Sequence, residues 1–332
     1  MKMTTSRLVI DGLNCAPLTP EQIRRTIDGG ISTINLTAIR PQSGVYEGLL
    51  EVQAALDKIA AMPELALVVR TTADIFEAKA SGRCGVIIGA QNSVMVEPEV
   101  RLLEVFKTLG LRIVQPTYNE RNAFGYGAPF LGDGDRGITE AGRAWVAEMN
   151  KNGMIIDLSH CGLKTSADFI AESKQPVVFS HANAMAICPS PRNKTDELLR
   201  AISKTGGLTG MVTWPPVTWL PEKPTLEHIL NHIDYLVNVC GIDHVAWASD
   251  MPEVETREHW EEYWGTEGLY PNITGILGDW YTYDNRLNAD VGTITKVPLI
   301  WDGMVKRGYS EDQIEKISSG NWLRVMKDVW GA

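Results

Sequence analysis

Met154-Ile155-Ile156-Asp157-Leu158-Ser159-His160 and, one helical segment later, Pro176-Val177-Val178-Phe179-Ser180-His181 share one grammar: an apolar run, then a serine, then a histidine. Runs that are apolar on both faces belong to strands covered on both sides, as in a parallel sheet wrapped by helices. Working outward, short β-branched runs alternate with longer stretches of helical period, the mark of repeated βα units. Strands are expected at 7–13, 32–37, 85–90, 111–116, 154–159, 177–181, 208–213 and 244–249, which makes eight, with Leu65 to Arg70 a candidate ninth. Helices are expected at 20–28, 48–62, 72–80, 97–109, 139–151, 164–173, 196–204 and 225–239.

This count predicts an α/β fold, a (β/α)8 TIM-type barrel, as a single domain over 1–332. A flat doubly wound sheet is the competing arrangement, and the lack of a Gly-rich phosphate loop after the first strand counts against it. Residues 252–296, rich in Trp, Tyr, Glu and Asp but weak in period, read as a C-terminal excursion after the last strand, placed to cover the mouth of the barrel. Ser310 to Trp330 reads as two closing helices, the second starting near Gly320-Asn321.

Lys and Arg number 31 against 41 Asp and Glu in 332 residues, a formal charge of −10, with the acidic residues scattered. A basic face for nucleic acid or an anionic membrane is therefore not expected. Met1 to Arg7 runs straight into Leu8-Val9-Ile10 without a leader pattern, and no apolar stretch reaches spanning length, so a cytoplasmic protein is expected. Cys15, Cys84, Cys161, Cys188 and Cys240 are an odd set without paired spacing and should be reduced thiols.

In a barrel the strand C-termini converge on one face, and chemistry is built there. His160 and His181 end neighbouring strands, and Ser249-Asp250 ends the last one. Two imidazoles and a carboxylate at one point suit zinc. A lone histidine at a strand end is more often a structural hydrogen-bonding residue; two on consecutive strands, each after a serine, argue for a site. His228 and His232, four apart on a helix, are expected on a solvated face, and His244 and His259 as structural or surface residues. Arg192, in Ser190-Pro191-Arg192-Asn193, is placed to clamp a substrate carboxylate with its planar fork, or is a solvated loop residue. Tyr118 and Asn119 follow the fourth strand and can hydrogen-bond a substrate or simply shape a loop. Trp214-Pro215-Pro216 with Trp219 forms either an aromatic wall or, more simply, aromatic core packing.

These segments, in this order, together with Pro191-Arg192-Asn193, resemble the membrane (renal) dipeptidase family from the first strand to the end of the chain. The resemblance implies a (β/α)8 zinc hydrolase of the amidohydrolase type acting on dipeptides, and a possible homodimer. It also marks departures. Where the family has a His-x-Asp metal pair on the first strand, Asp11-Gly12-Leu13-Asn14-Cys15 places Leu13 and Cys15; where it has a bridging Glu, Gly89-Ala90-Gln91-Asn92 places Gln91; and Pro116 replaces a carbonyl-polarising His. Leucine offers no donor atom and an amide bridges two dications poorly, so the two-metal centre should be absent. What the resemblance then implies is one divalent ion, zinc by preference, or none, on His160 and His181, completed by Cys15, Gln91 or Asp250. Cys15 is equally readable as a small packing residue.

Three functions are compatible with this reading. The first is a mononuclear, dipeptidase-like hydrolase of an amide in a small amino-acid-derived substrate, with Asp250 relaying the proton and Arg192 holding a carboxylate. The second is a lyase, isomerase or hydrolase of a small metabolite with one metal or none, using His160 and His181 as acid and base. The third is a non-catalytic binding protein.

Overall fold

The computed structural model describes residues 7–253, 256–264 and 280–331. Its strands are β1 (Ile10–Asn14), β2 (Thr33–Ile39), β3 (Ala66–Val69), β4 (Cys84–Ala90), β5 (Leu111–Val114), β6 (Ile155–Ile156), β7 (Val178–Phe179), β8 (Leu208–Val212) and β9 (Val245–Ala248). Every ladder is parallel. One sheet runs β1-β2-β4-β5-β6 and another β7-β8-β9. A single parallel bridge, Asp157 to Val178, links β6 to β7. On the other side Asp250 N–H donates to the Leu13 carbonyl at 3.0 Å, which joins β9 to β1 and closes the (β/α)8 barrel.

The run Leu65–Arg70 does form a ninth strand, but it lies off the ring path. β2 occupies one edge of β4 from Gly85 to Ala90. On the other edge β3 pairs with Cys84 to Ile87 and β5 takes over at Ile88. Ile10, Ile87, Ile113, Ile155, Val178, Leu208 and Ala246 turn inward and meet Trp322, Val325 and Met326 of the C-terminal helix Asn321–Trp330. That helix plugs the N-terminal mouth of the barrel, where the Asn321 amide donates to the Ile242 and Val245 carbonyls. The plug leaves the opposite, C-terminal mouth as the open one.

The second closing helix starts at Asn321, as expected, but the chain does not leave helical geometry before it. The helix Glu311–Glu315 passes through a π turn, Lys316–Gly320, into Asn321–Trp330, with Gly320 at helical dihedrals (φ −57°, ψ −42°). The wider π turn absorbs the glycine without ending the helix. Helix caps elsewhere follow ordinary chemistry: Thr19, Thr139 and Thr195 each accept a main-chain N–H from the first turn of the helix they precede. Among the described residues, no helix is long and apolar enough to cross a membrane.

Of the expected excursion 252–296, residues 254–255 and 265–279 lie outside the described residues. Its described part includes a helix, Arg257–Trp264, and Tyr281, which packs with Trp260, Trp214, Val212, Val217 and Tyr118. Trp214 Nε1–H donates to the Tyr281 hydroxyl at 2.9 Å, pinning the excursion against the loop after β8. Trp214 thus serves both readings, since its buried ring packs in an aromatic cluster that walls the open mouth.

Candidate active site

β6 and β7 are two residues long, yet they carry the two histidines. What holds their ends together is a carboxylate. Asp157 accepts hydrogen bonds from Gln115 Nε2 (2.8 Å), from the Ser159 amide and hydroxyl (3.0 and 2.6 Å), and from the Ser180 amide and hydroxyl (2.9 and 2.5 Å). A buried carboxylate is tolerable only when its lone pairs are answered in this way. Gly12 and Gly210 complete the packing: a Cβ on Gly12 would stand 2.8 Å from the Ser180 carbonyl oxygen, and one on Gly210 only 1.9 Å from it. Both positions must be bare for the β7 end to sit where it does.

This scaffold sets the tautomers. The single proton of the Ser180 hydroxyl goes to Asp157, so Ser180 Oγ accepts from His181 Nδ1–H at 2.6 Å. His181 Nε2 is left as an unprotonated, fully buried nitrogen with no partner. His160 Nδ1 lies 2.8 Å from the Asn119 side-chain oxygen, an acceptor, which likewise makes Nδ1 the protonated atom. The two rings stand 5.1 Å apart between centroids, and Tyr118 stacks on His160 at 4.1 Å. Burial first, then the Arg192 guanidinium, holds both imidazoles well below their ordinary pKa, so both are neutral. Neutral imidazole with Nδ1 engaged is the state in which histidine binds a metal or accepts a proton.

Arg192 does not reach out of its loop. It is 2% exposed, and its guanidinium donates to the main-chain carbonyls of Ser159 and His181, with Nε unpartnered. It therefore braces the two strand ends from within. Lys194, two residues on, is also fully buried, donates to the Cys161 carbonyl at 2.7 Å and lies over the Phe179 ring. Burial, and then Arg192, pulls its pKa down to about 7.

Asp250 sits at φ 46°, in the left-handed region that a non-glycine residue adopts under constraint. The surrounding protein excludes enough water to push its carboxyl up to about 6, against the opposing pull of Arg192 and of a hydrogen bond from the Cys15 thiol. Burial and that same carboxylate raise Cys15 well above an ordinary thiol. Cys15 and Gln91, with Tyr118, line a cavity of about 460 Å³ that opens between the ends of β1 and β2 and the helix Val45–Ala60. Gln91 is 6% exposed, donates from Nε2 to Thr37 Oγ1 at 2.9 Å, and leaves Oε1 without a partner.

The structure therefore gathers His160, His181, Tyr118 and Asn119 in one contact group, and Asp250 with Cys15 in a second. Gln91 and Tyr118 share the adjoining cavity. Leu13 is buried, and its carbonyl accepts from Asp250 N–H, so its position serves barrel closure. The expectation that His228 and His232 face solvent fails. His232 is fully buried with Nε2 2.8 Å from the Thr218 carbonyl, and half-buried His228 accepts from the Thr225 amide while stacking on Trp219. Their helix, Leu226–Cys240, docks that face on the loop after β8. His244 hydrogen-bonds the Gly207 carbonyl at 2.7 Å and is structural, as expected. Asp157 and Lys194 were not singled out from the sequence. A usable signal was present in the serine that precedes His160, His181 and Asp250 alike, since three such hydroxyls imply shared acceptors.

Fold and site together define a barrel hydrolase of the amidohydrolase type, with its polar groups at the strand C-termini. The chain belongs to the membrane dipeptidase family, Peptidase family M19, whose profile matches residues 22–274. It is 29% identical over 260 residues to the protein named dipeptidase tcpJ of Claviceps purpurea (strain 20.1), covering 77% of this chain and 53% of that one. The chain thus spans about half the length of that curated relative. An amidohydrolase from Pseudomonas aeruginosa superposes with a TM-score of 0.89 at 32% identity, covering 98% of this chain and 97% of that one. A metallo peptidase from Rhodobacter sphaeroides, liganded with a phosphinate mimic of the dipeptide L-Ala-D-Ala, shares the fold at a TM-score of 0.78 and 22% identity, with coverage of 98% and 99%.

Proposed function

We propose that this chain hydrolyses an amide bond in a small amino-acid-derived substrate, as a dipeptidase-like enzyme with at most one metal ion. The observation that carries the reading is the buried, unpartnered Nε2 of His181 beside a second imidazole whose Nδ1 is likewise engaged. Buried polar atoms are almost always satisfied, so an orphan at the functional end of a barrel marks the place of a ligand. The donor set suits a single ion on His160 and His181. It does not suit a pair, because the Leu13 side chain has no donor atom and Gln91 presents an amide. Among the described residues, no third His, Cys, Asp or Glu forms a metal-binding cluster with them.

Bound there, zinc or a similar divalent ion would supply Lewis acidity, lowering the pKa of water and polarising a carbonyl. The chain's own residues do the rest. His160 and His181 would hold the ion through neutral nitrogens, oriented by Asn119 and Ser180. Asp250, ionised above about pH 6, takes a proton from the attacking water and returns it to the leaving nitrogen. The wall of Tyr118, Trp214 and Tyr281 excludes bulk water. Arg192 keeps the two strand ends in register rather than touching substrate. The five cysteines, free in the structure, support a reducing, cytoplasmic setting, and the partner is a small molecule rather than nucleic acid or membrane.

The test is metal content and turnover of protein purified without added metal. About one ion per chain, lost in His181→Ala together with cleavage of dipeptides or acylated amino acids, is the expected result. Less than a few tenths of an ion per chain, with unimpaired turnover, overturns it. The missing third ligand favours a second reading, metal-free acid–base chemistry by His160 and His181 on a small metabolite, and that last outcome would establish it.

A further inference from the structure

The chain that carries Asp250 makes a tight turn within four residues. Asp250 and Glu253 both adopt left-handed dihedrals, at φ 46° and φ 49°, and among the described residues they are the non-glycine positions that do so. Side chains resist that region, and a residue stays in it only where its surroundings leave no alternative. At the start of the turn the restraint is the hydrogen bond from Asp250 N–H to the Leu13 carbonyl. Met251 and Pro252, between the two, are buried, and the proline disfavours a helical conformation at Met251. At the end of the turn the restraint is a carboxylate. The Glu253 side chain is 1% exposed; one oxygen accepts from Ile294 N–H at 2.6 Å and the other pairs with Arg25 Nη2.

Both partners stand on fixed ground. Arg25 lies in the last turn of the helix Pro20–Asp28, and Ile294 opens the short helical turn Ile294–Lys296. A Cβ on Gly29 would stand 2.4 Å from the Ile294 carbonyl oxygen, so the end of that helix meets the turn backbone against backbone. A buried carboxylate answered by a guanidinium and a main-chain N–H is a strong, directional anchor.

We propose that Glu253 is a positioning residue for the reaction: clamped by Arg25 and Ile294, it holds the Asp250–Glu253 turn in its left-handed form and so keeps the Asp250 carboxylate in place for proton transfer. The proposal rests on the reading of Asp250 as proton acceptor. Glu253 acts through three residues of backbone and not by contact with substrate. With the clamp released, the turn relaxes toward ordinary dihedrals and Asp250 moves toward water. The titratable and charged groups around Asp250 are Arg192, Cys15, Asp157 and Tyr281. Leaving them forfeits the downward pull of Arg192 and Cys15, but it also relieves burial, the largest effect, so the carboxyl falls from about 6 toward 3.8.

Two variants test the clamp. Glu253→Gln keeps an acceptor for Ile294 N–H and removes the charge; Arg25→Met breaks the same pair from the helix. Each should lower kcat on a dipeptide or an acylated amino acid by about tenfold to a hundredfold, as misplacement of a reacting group does, with KM little changed. Each should also move the lower limb of the kcat/KM profile from near pH 6 to more acid pH. Loss of folded protein alone would scale the profile without moving it. The double variant should be no worse than either single one, since both delete one contact. Cys15 gives a readout independent of turnover, because it is half-buried, the other four cysteines are buried, and its thiol donates to Asp250. Its alkylation by iodoacetamide should be several-fold faster in both variants once the carboxylate that raises its pKa withdraws. Where the parent enzyme turns over, the limb decides: a limb left near pH 6 in both variants overturns the proposal and leaves the hydrolase reading standing. Where it turns over nothing, the hydrolase reading falls and Cys15 decides: faster alkylation upholds the clamp, and unchanged alkylation overturns it.

Discussion

Asp11 on the first strand accepts both the main-chain N–H and the hydroxyl of Ser249 at the end of the last strand, at 2.7 and 2.6 Å. The two residues are the chemical clasp of the barrel, and they repeat in mirror the way Asp157 takes the amide and hydroxyl of Ser180. Both clasps lie directly beneath functional groups, Asp250 in one case and His181 in the other.

Ser249→Ala should destabilise the protein by about 1 kcal/mol while Asp11 is protonated and by about 1.5–3 kcal/mol once it is ionised, the range for a hydrogen bond to a charged group. Burial holds the Asp11 carboxyl up at about 7 against 3.8 in a free chain, so the folded state binds the extra proton between those values. Stability from this group is therefore greatest at the acid end of that window and declines as pH rises to about 7. Without the Ser249 hydroxyl the decline should extend to higher pH. Urea midpoints at pH 5, 7 and 8 read both effects.

Asn119→Ala removes the acceptor that fixes His160 Nδ1. Loss of such an orienting partner should weaken metal affinity by about 10–100-fold with little change in folding stability. Titration with a chelating indicator, alongside thermal unfolding, separates the two.

If Asp250 is the proton acceptor, kcat/KM should rise with pH along a limb centred near 6, since only the carboxylate can act. Cys15→Ala deletes a donor that lowers this pKa, so the limb should move upward. A profile that stays in place when Cys15 is replaced would show that another group governs it.

Lys194 is held near 7 in the fold against 10.5 in a free chain, so the unfolded chain binds more protons between those values. Stability should accordingly climb as pH rises above 7. Lys194→Met should remove that climb and stabilise the protein by about 1–3 kcal/mol at pH 7, as replacement of buried charges by apolar groups often does. Thermal unfolding from pH 7 to 9 is the measurement.

How much of this was readable beforehand depends on range. Strands and helices follow from local period, so the barrel and the strand-end positions of His160, His181 and Asp250 were legible. The place of β3 was not, because its apolar run looks the same whether it joins the ring or pairs beneath β5. Arg192 read as an outward clamp, since nothing nearby in sequence shows that the carbonyls of Ser159 and His181 converge on it. His232 read as solvated because its burial is made by Thr218, on a separate loop. Substitution at Leu13, Cys15 and Gln91 was visible in the chain itself; that Gln91 is left with an open acceptor was not.

His160 follows β6 and His181 follows β7, and among the described residues one backbone bridge, at Asp157, joins those strands. The gap between the imidazoles is thus governed by side chains, not by the invariant pitch of a ladder. Natural variation can widen or narrow that gap through one carboxylate and two hydroxyls without unpicking the rest of the wall. A scaffold joined this way is readily retuned, and a change of reaction needs no change of architecture.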